Sequence, residues 1–261
     1  MTESVFRNDI LSAQVALITG GGTGIGKEIA RTLGEHGARL AICSRKQDVI
    51  EATANELHEN GHECLAIPCD VRKPDEVEGV IRGVLSHYGR LDIVVNNAAG
   101  NFPAPIAGLS YNGFKAVVDI DLLGTYNVSK AAFDAWLGEH GGNVVNISAP
   151  YERQGPALQA HVAAAKMGVD ALTRTCAVEW WSKGIRVNGI APGATEGTEG
   201  MARYAKVAGD DSAEKSRRRN GTKREMANCV LFLVSDAASY VSGQIFCVDG
   251  GATIDTLKMP L

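Results

Sequence analysis

Short apolar runs alternate along this chain with longer segments in which apolar residues recur every three or four positions. The seven short runs lie at 15–19, 39–43, 64–68, 91–95, 143–147, 185–191 and 244–248. Buried strands that alternate with helices form a parallel sheet covered by helices on both faces. The pattern therefore predicts an α/β fold with a seven-stranded parallel sheet, built as a single domain over residues 1–261.

Glycine and proline residues mark some of the predicted helix ends, and one connection interrupts the alternation of strands and helices. Gly37 follows a helical segment as a plausible C-terminal cap, and Pro74 lies where the first turn of another helix should begin. The connection over about residues 193–222 is rich in Gly, Asp, Glu and Arg and breaks the alternation. We interpret it as a mobile lid over a substrate site.

Composition excludes several classes of function. The 261 residues are 45% hydrophobic and 21% charged with a net charge of -4, and no basic stripe is interleaved with aromatic residues, which argues against a nucleic-acid partner. The six cysteines are scattered without metal-ligand spacing, so we expect reduced thiols and no metal site. The charged start of the chain, the lack of a membrane-length apolar stretch and an ending unlike Ser-Lys-Leu predict a cytoplasmic protein.

A glycine-rich loop follows the first predicted strand directly and leads into a helix. Its sequence, Thr-Gly-Gly-Gly-Thr-Gly-Ile-Gly, occupies positions 19–26. Glycines at such a turn let the backbone approach a pyrophosphate, whose charge is met by the N–H groups of the helix N-terminus. The loop therefore predicts a dinucleotide site, with these cofactor-binding residues: Gly20, Gly22, Thr23, Gly24, Ile25 and Gly26.

The end of the second strand predicts which dinucleotide binds. An acidic residue at this place commonly holds the ribose 2′-hydroxyl of NAD, whereas this chain has Ser44 and Arg45 followed by Lys46. The Arg45 guanidinium can form a bidentate contact with phosphate oxygens, and no carboxylate at the strand end repels them. We therefore expect NADP(H) as the cofactor, with Ser44 and Arg45 among its contacts.

Together, these motifs resemble the short-chain dehydrogenase/reductase family over nearly the whole chain. Beyond the glycine-rich loop, the resemblance rests on Asp70-Val71, Asn96-Asn97-Ala98-Ala99-Gly100, Ala191-Pro192-Gly193 and Val248-Asp249-Gly250-Gly251. It implies a single-domain Rossmann fold, a homotetramer, and a catalytic set of Asn, Ser, Tyr and Lys. The further cofactor contacts that it implies are Asp70, Val71, Asn97, Ala98, Lys166, Pro192 and Gly193.

The chain departs from the family's catalytic set at three of its four positions. Lys166 matches the lysine, but Val162 stands four residues earlier where the family has its tyrosine. Ala149 occupies the usual serine position, next to Ser148, and Asp121 replaces the usual asparagine. A ketoreductase needs a general acid near the nascent alkoxide, and neither valine nor alanine can supply one.

These departures resemble the 2,4-dienoyl-CoA reductase branch of the family. The stretch over 98–130 and the sequence Gly-Thr-Glu-Gly at 197–200 are similar to peroxisomal members, which carry an aspartate at the position of Asp121. Mitochondrial members place a catalytic tyrosine fifteen residues before the lysine, which is Tyr151 here. The resemblance implies Tyr151, Asp121 and Lys166 as catalytic residues, and it implies substrate contacts from Asn101, Phe102 and Thr198.

The resulting hypothesis is an NADPH-dependent reductase of a double bond conjugated to an acyl-CoA thioester. It would convert 2,4-dienoyl-CoA into 3-enoyl-CoA in the oxidation of unsaturated fatty acids. Two alternatives stay open at this point. One is carbonyl or alcohol chemistry on another small molecule, using Tyr151 in a changed geometry, and the other is a decayed protein that binds NADP without chemistry of its own.

Overall fold

The computed structural model describes residues 6–152, 155–208 and 219–254. Seven parallel strands form one sheet in the order β3-β2-β1-β4-β5-β6-β7. The strands are β1 (Val15–Thr19), β2 (Arg39–Ser44), β3 (Cys64–Pro68), β4 (Ile93–Asn96), β5 (Gly142–Ile147), β6 (Ile185–Pro192) and β7 (Ile245–Val248). The predicted fold class, a Rossmann-type seven-stranded parallel sheet, is confirmed.

Helices connect the strands and cover both faces of the sheet. They are α1 (Gly24–Glu35), α2 (Gln47–Glu59), α3 (Pro74–Tyr88), α4 (Tyr111–Val118), α5 (Gly124–Ala132), α6 (Gly138–His140), α7 (Ala160–Trp180), α8 (Glu199–Ala208) and α9 (Lys223–Val234). π-helical turns at Asp119–Leu123 and Phe133–Leu137 join α4, α5 and α6. Pro74 is the first residue of α3, and Gly37 follows α1 with a positive φ, as the sequence predicted.

The apolar core is divided by the sheet into two halves, because successive residues of a strand point to opposite faces. On one face, Ile18 and Ile42 pack with residues of α1, α2 and α9. On the other face, Leu17 and Ala41 pack with residues of α3, α5 and α7. A sheet buried on both faces explains why its strands read as continuous apolar runs instead of alternating ones.

The carboxyl ends of the strands form the edge at which a ligand site is expected. Strand order reverses between β1 and β4, and open parallel sheets bind ligands in the crevice outside such a reversal. Thr19, the last residue of β1, fixes the loop that leaves β4. Its hydroxyl oxygen accepts hydrogen bonds of 3.0 Å from the backbone N–H groups of Asn97 and Ala98.

This threonine generates a stability prediction. Thr19→Val keeps the shape of the side chain but leaves the N–H groups of Asn97 and Ala98 without their acceptor. The free energy of unfolding should fall by about 2 kcal/mol, measured by urea denaturation, because a buried donor that loses its partner carries its full desolvation cost. Thr19→Ser is the matched control. It keeps the oxygen and should cost about 1 kcal/mol or less for the lost methyl group; equal losses in both variants would contradict the prediction.

Candidate active site

The glycine-rich loop between β1 and α1 has the geometry of a dinucleotide cradle. Gly20 and Gly24 have φ values of +65° and +58°, which favour glycine. A Cβ added to Gly26 would lie 2.5 Å from the Gly20 carbonyl oxygen, so only glycine allows α1 to approach the loop this closely. A Cβ at Gly24 would meet nothing within 4 Å, which leaves the helix N-terminus accessible to a ligand.

A cleft of about 270 Å³ opens beside this loop at the carboxyl edge of the sheet. The predicted cofactor residues that line it are Gly20, Gly22, Thr23, Ser44, Arg45, Asp70, Val71 and Ala98. The remaining predicted cofactor residues lie outside its lining, and they are Gly24, Ile25, Gly26, Asn97, Lys166, Pro192 and Gly193. Asn97 braces the loop from behind, since its side-chain amide donates to the carbonyl oxygens of Thr19 and Gly20.

The charges around the cleft suit a phosphate at the end of β2. Arg45 and Lys46 are exposed and line it. Asp70, which also lines it, is neutralised by a bidentate contact with the guanidinium of Arg72, and this hydrogen bonding lowers the pKa of Asp70 below its ordinary value. The Asp70 carboxylate is therefore already paired and repels a phosphate group less than a free carboxylate would.

Two of the three predicted catalytic residues form a buried ion pair. The side chains of Asp121 and Lys166 are 1% and 7% exposed, and Oδ2 of Asp121 lies 3.3 Å from Nζ of Lys166. The alignment is that of an ion pair and not of a hydrogen bond. Nζ instead donates at 2.8 Å to the carbonyl oxygen of Ile147, at the end of β5. Oδ1 of Asp121 accepts the N–H of Gly100 at 2.7 Å.

Local backbone geometry brings Asp121 into this position. It lies in the π-helical turn Asp119–Leu123 between α4 and α5. Such turns are rare and often occur at functional sites. The hydroxyl of Thr125 donates to the Asp121 carbonyl oxygen at 2.7 Å, which adds a side-chain hydrogen bond to the backbone of this turn.

The usual acid of the family has no counterpart at its usual place. Val162 is buried in the first turns of α7, and Ala149 follows Ser148 after β5. Tyr151 is half-buried in the turn after β5, where its N–H donates to the Ala149 carbonyl oxygen at 2.8 Å. The catalytic role of Tyr151 stays a prediction.

The predicted substrate residues lie beyond the ion pair. Phe102 is 37% exposed, and the backbone carbonyl oxygen of Asn101 accepts a hydrogen bond from Arg203 of α8 at 2.5 Å. The hydroxyl of Thr198 caps its own turn by donating to the Thr195 carbonyl oxygen at 2.9 Å. Substrate contact by these residues is still a prediction.

The predicted lid over 193–222 is partly a helix. Its residues 209–218 lie outside those that the structure describes, but α8 packs across the mouth of the cleft, where Glu199 and Arg203 line it. The two side chains also form an ion pair of 3.0 Å one helical turn apart. Sequence reasoning missed both residues, although their i, i+4 spacing was the available signal.

His161 is a further residue of this region, which the predicted site residues did not include. It lies in the first turn of α7 with 0% exposure. Its ring packs edge-on against Phe102, with 4.6 Å between ring centroids. No sequence signal separated it from an ordinary core histidine.

Comparison with known proteins identifies the class. Residues 20–253 match the family model described as Enoyl-(Acyl carrier protein) reductase, which covers more than half of the chain. The chain belongs to the short-chain dehydrogenase/reductase family, as its motifs suggested.

The chain is also similar to individual members of this family. The chain is 47% identical over 253 residues to peroxisomal 2,4-dienoyl-CoA reductase [(3E)-enoyl-CoA-producing] of Danio rerio, covering 95% of this chain and 84% of the relative. It is 38% identical to probable 2,4-dienoyl-CoA reductase [(2E)-enoyl-CoA-producing] of Bacillus subtilis, covering 92% and 97%. A solved structure of actinorhodin polyketide ketoreductase with NADPH superimposes with a TM-score of 0.86 at 33% identity, covering 92% and 97%.

In the described ranges, no helix has both the length and the apolar character needed to cross a bilayer. Over the same ranges, no three His, Cys, Asp or Glu side chains are grouped so that they could hold a metal ion.

The buried ion pair generates a thermodynamic prediction. Asp121→Asn and Lys166→Met should each lower the free energy of unfolding by about 3 kcal/mol, because each leaves one buried charge without its partner. The double variant should lose less than the sum of the two, since it buries no unpaired charge. A double-mutant cycle of thermal or urea unfolding measures this coupling, and strictly additive losses would show that the two charges do not interact.

Proposed function

We propose that this protein uses NADPH to reduce a 2,4-dienoyl-CoA to a 3-enoyl-CoA. The observation that carries the proposal is the buried pair of Asp121 and Lys166 beside a buried Val162. A ketone reductase must protonate an alkoxide oxygen, and the usual hydroxyl acid is missing from this place. Reduction of a conjugated double bond ends with a proton on carbon, so it can proceed without that acid. The relatives named as 2,4-dienoyl-CoA reductases support the same reaction.

The residues of the cleft fit NADP(H). The open approach to Gly24 and the α1 N-terminus fits a pyrophosphate, and Arg45 with Lys46 fits a 2′-phosphate. Lys166 would hold the nicotinamide ribose. When bound, NADPH supplies a hydride to the far end of the conjugated thioester.

The residues of the chain then have two tasks. The negative charge displaced onto the thioester oxygen has to be stabilised, and Tyr151 and the positive charge of Lys166 would do this. A proton has to reach the carbon next to the thioester. One carboxylate oxygen of Asp121 accepts a hydrogen bond from the Gly100 N–H, and the other faces the Lys166 ammonium. An ionised carboxylate makes contacts of this kind. We therefore assign the proton delivery to a water oriented by this pair.

We also propose that the protein acts as a homotetramer in the cytoplasm. Assembly is supported by large apolar side chains exposed on the helices, among them Tyr126, Val178 and Trp181. The six cysteines, all of them within the described ranges, form no disulfide, which is compatible with a reducing compartment.

The direct test of the proposed function is loss of NADPH absorbance on adding 2,4-hexadienoyl-CoA, with identification of the product. We expect rapid oxidation and a 3-enoyl product, because the extended conjugation spreads the charge that the hydride introduces. Crotonyl-CoA, which has one double bond, and cyclohexanone, a simple ketone, are the controls. Oxidation with the ketone and none with the dienoyl thioester would refute the proposal.

Variants of the same assay separate the roles of the site residues. Asp121→Asn and Tyr151→Phe should each lower kcat by about 100-fold, the usual effect of losing one group that stabilises or protonates a developing anion. Both variants should also bind NADPH as tightly as the wild-type protein, so that the fall in kcat can be assigned to the chemical step. Full turnover in both would remove these residues from the mechanism.

Cofactor choice gives a separate prediction. Arg45→Ala should raise the KM for NADPH by about 30-fold and leave that for NADH unchanged, because only NADPH carries the phosphate that the guanidinium would bind. Initial rates with each nucleotide measure this. Arg82→Ala, which removes an exposed arginine on α3, is the matched control. Equal changes for both nucleotides in Arg45→Ala would show that Arg45 does not recognise the phosphate.

A further inference from the structure

His161 is buried in a way that its folded environment does not explain. It is fully excluded from solvent, yet neither Nδ1 nor Nε2 has a hydrogen-bond partner of ordinary geometry. The backbone of Phe102 approaches the ring closely enough to oppose the lowering of the His161 pKa by burial, but without the geometry of an ordinary hydrogen bond. Buried polar atoms are nearly always paired in native proteins, and each exception calls for a reason.

Other unpartnered polar atoms occur on the residues around His161. Oδ1 of Asn101 and Oε1 of Gln159 are also buried without a partner. Asn101 precedes Phe102, whose ring packs on His161. Gln159 is the N-cap residue of α7, two residues before His161, and its side chain makes no capping hydrogen bond. The two segments are tied together by a hydrogen bond from the Ala104 N–H to the Leu158 carbonyl oxygen at 3.0 Å. The concentration of unpartnered atoms on these segments indicates a surface completed by a ligand.

The position of these two segments indicates which ligand would bind beside them. The loop that begins with Ala98 and Ala99 in the nucleotide cleft passes Gly100, which holds Asp121, and then reaches Phe102. His161 packs against the end of this loop at Phe102, and Asn101 and Phe102 are among the residues that the family resemblance assigns to the acyl substrate. The negative charge of Asp121 also acts on the His161 ring.

Charge determines what His161 can do there. Burial lowers the pKa of His161 below its ordinary value, with the Phe102 backbone and Asp121 opposing this, so the ring is neutral near pH 7. A neutral imidazole always carries one N–H donor. Such a donor can stabilise an oxyanion without placing a second buried cation beside Lys166.

We propose that His161 is a catalytic residue that donates a hydrogen bond to the thioester carbonyl oxygen of the acyl-CoA. The bond strengthens as that oxygen gains charge during reduction. The expected effect on kcat rests on the proposed function. The hydrogen bond to the bound thioester, in contrast, would form whether or not the ligand is reduced. His161 would act together with Tyr151 on the same oxygen, on the side of the site that Val162 leaves without a hydroxyl.

His161→Leu and His36→Leu form a crossed test. His36 is also buried, but its Nδ1 has a partner, the Thr32 carbonyl oxygen at 2.7 Å, and it lies at the end of α1 away from the site. His161→Leu should keep or raise the thermal midpoint, because it removes unpaired polar atoms, and should lower kcat with 2,4-hexadienoyl-CoA about 100-fold. His36→Leu should lower the midpoint and keep kcat. A lower midpoint with unchanged kcat in His161→Leu would overturn the proposal.

Binding measurements separate this inference from the proposed function. Hexanoyl-CoA has no double bond to reduce, and free CoA lacks the whole acyl group. Calorimetry with both ligands therefore measures the contacts of the acyl thioester without turnover. In the protein with NADP⁺ present, His161→Leu should weaken hexanoyl-CoA about fivefold and leave CoA unchanged. His161→Gln, which restores an N–H donor, should recover most of the affinity. Equal weakening of both ligands, or none, would overturn the proposal even if the wild-type protein reduced no dienoyl-CoA.

Discussion

Burial of opposite charges at the carboxyl edge of the sheet is the constraint on which the site depends. Asp121 and Lys166 are almost completely removed from water, and neither charge could remain there alone without a large desolvation cost. Each is also held by backbone, Asp121 by the Gly100 N–H and Lys166 by the Ile147 carbonyl oxygen. The pair therefore fixes the loop after β4, the end of β5, the π-helical turn and α7 relative to one another.

That arrangement limits the chemistry. A tyrosine at the position of Val162 would put a hydroxyl acid beside Lys166, whose charge would favour its ionisation. With valine there, the lysine has Asp121 as its polar side-chain neighbour instead. The site keeps a cation for the cofactor and for a developing anion, but it loses the direct proton donor to oxygen. A reaction that delivers its proton to carbon is compatible with this exchange, whereas ketone reduction needs an acid at the oxygen that Val162 cannot supply.

The sequence predicted the fold better than it predicted the site. The run at 64–68 coincides with β3, and the run at 91–95 is displaced by two residues or fewer from β4, because continuous apolar runs report burial on both faces of a sheet. The π-helical turn that aims Asp121 has no comparable signature. Asp121 and Lys166 were singled out only through the family resemblance, which did not predict their ion pair. The burial of His161 depends on contacts between α7 and the loop near Phe102, which are distant in sequence. Side chains from separate elements converge through packing, which local patterns do not encode.

The ion pair and His161 differ in how the free protein stabilises them. Asp121 and Lys166 have partners before any ligand binds, so they can be held rigidly and pre-organise the site. His161, Asn101 and Gln159 have buried atoms whose hydrogen bonds are incomplete in the protein alone. Such atoms lower the stability of the free fold, and a polar ligand can satisfy only those that complement it: a carbonyl oxygen can accept from the His161 N–H, whereas Oδ1 of Asn101 and Oε1 of Gln159 need a donor. A thioester carbonyl supplies the acceptor that His161 lacks, and a hydrocarbon chain does not. The polar group nearest the reacting double bonds would thus be the part of the acyl-CoA that this region recognises.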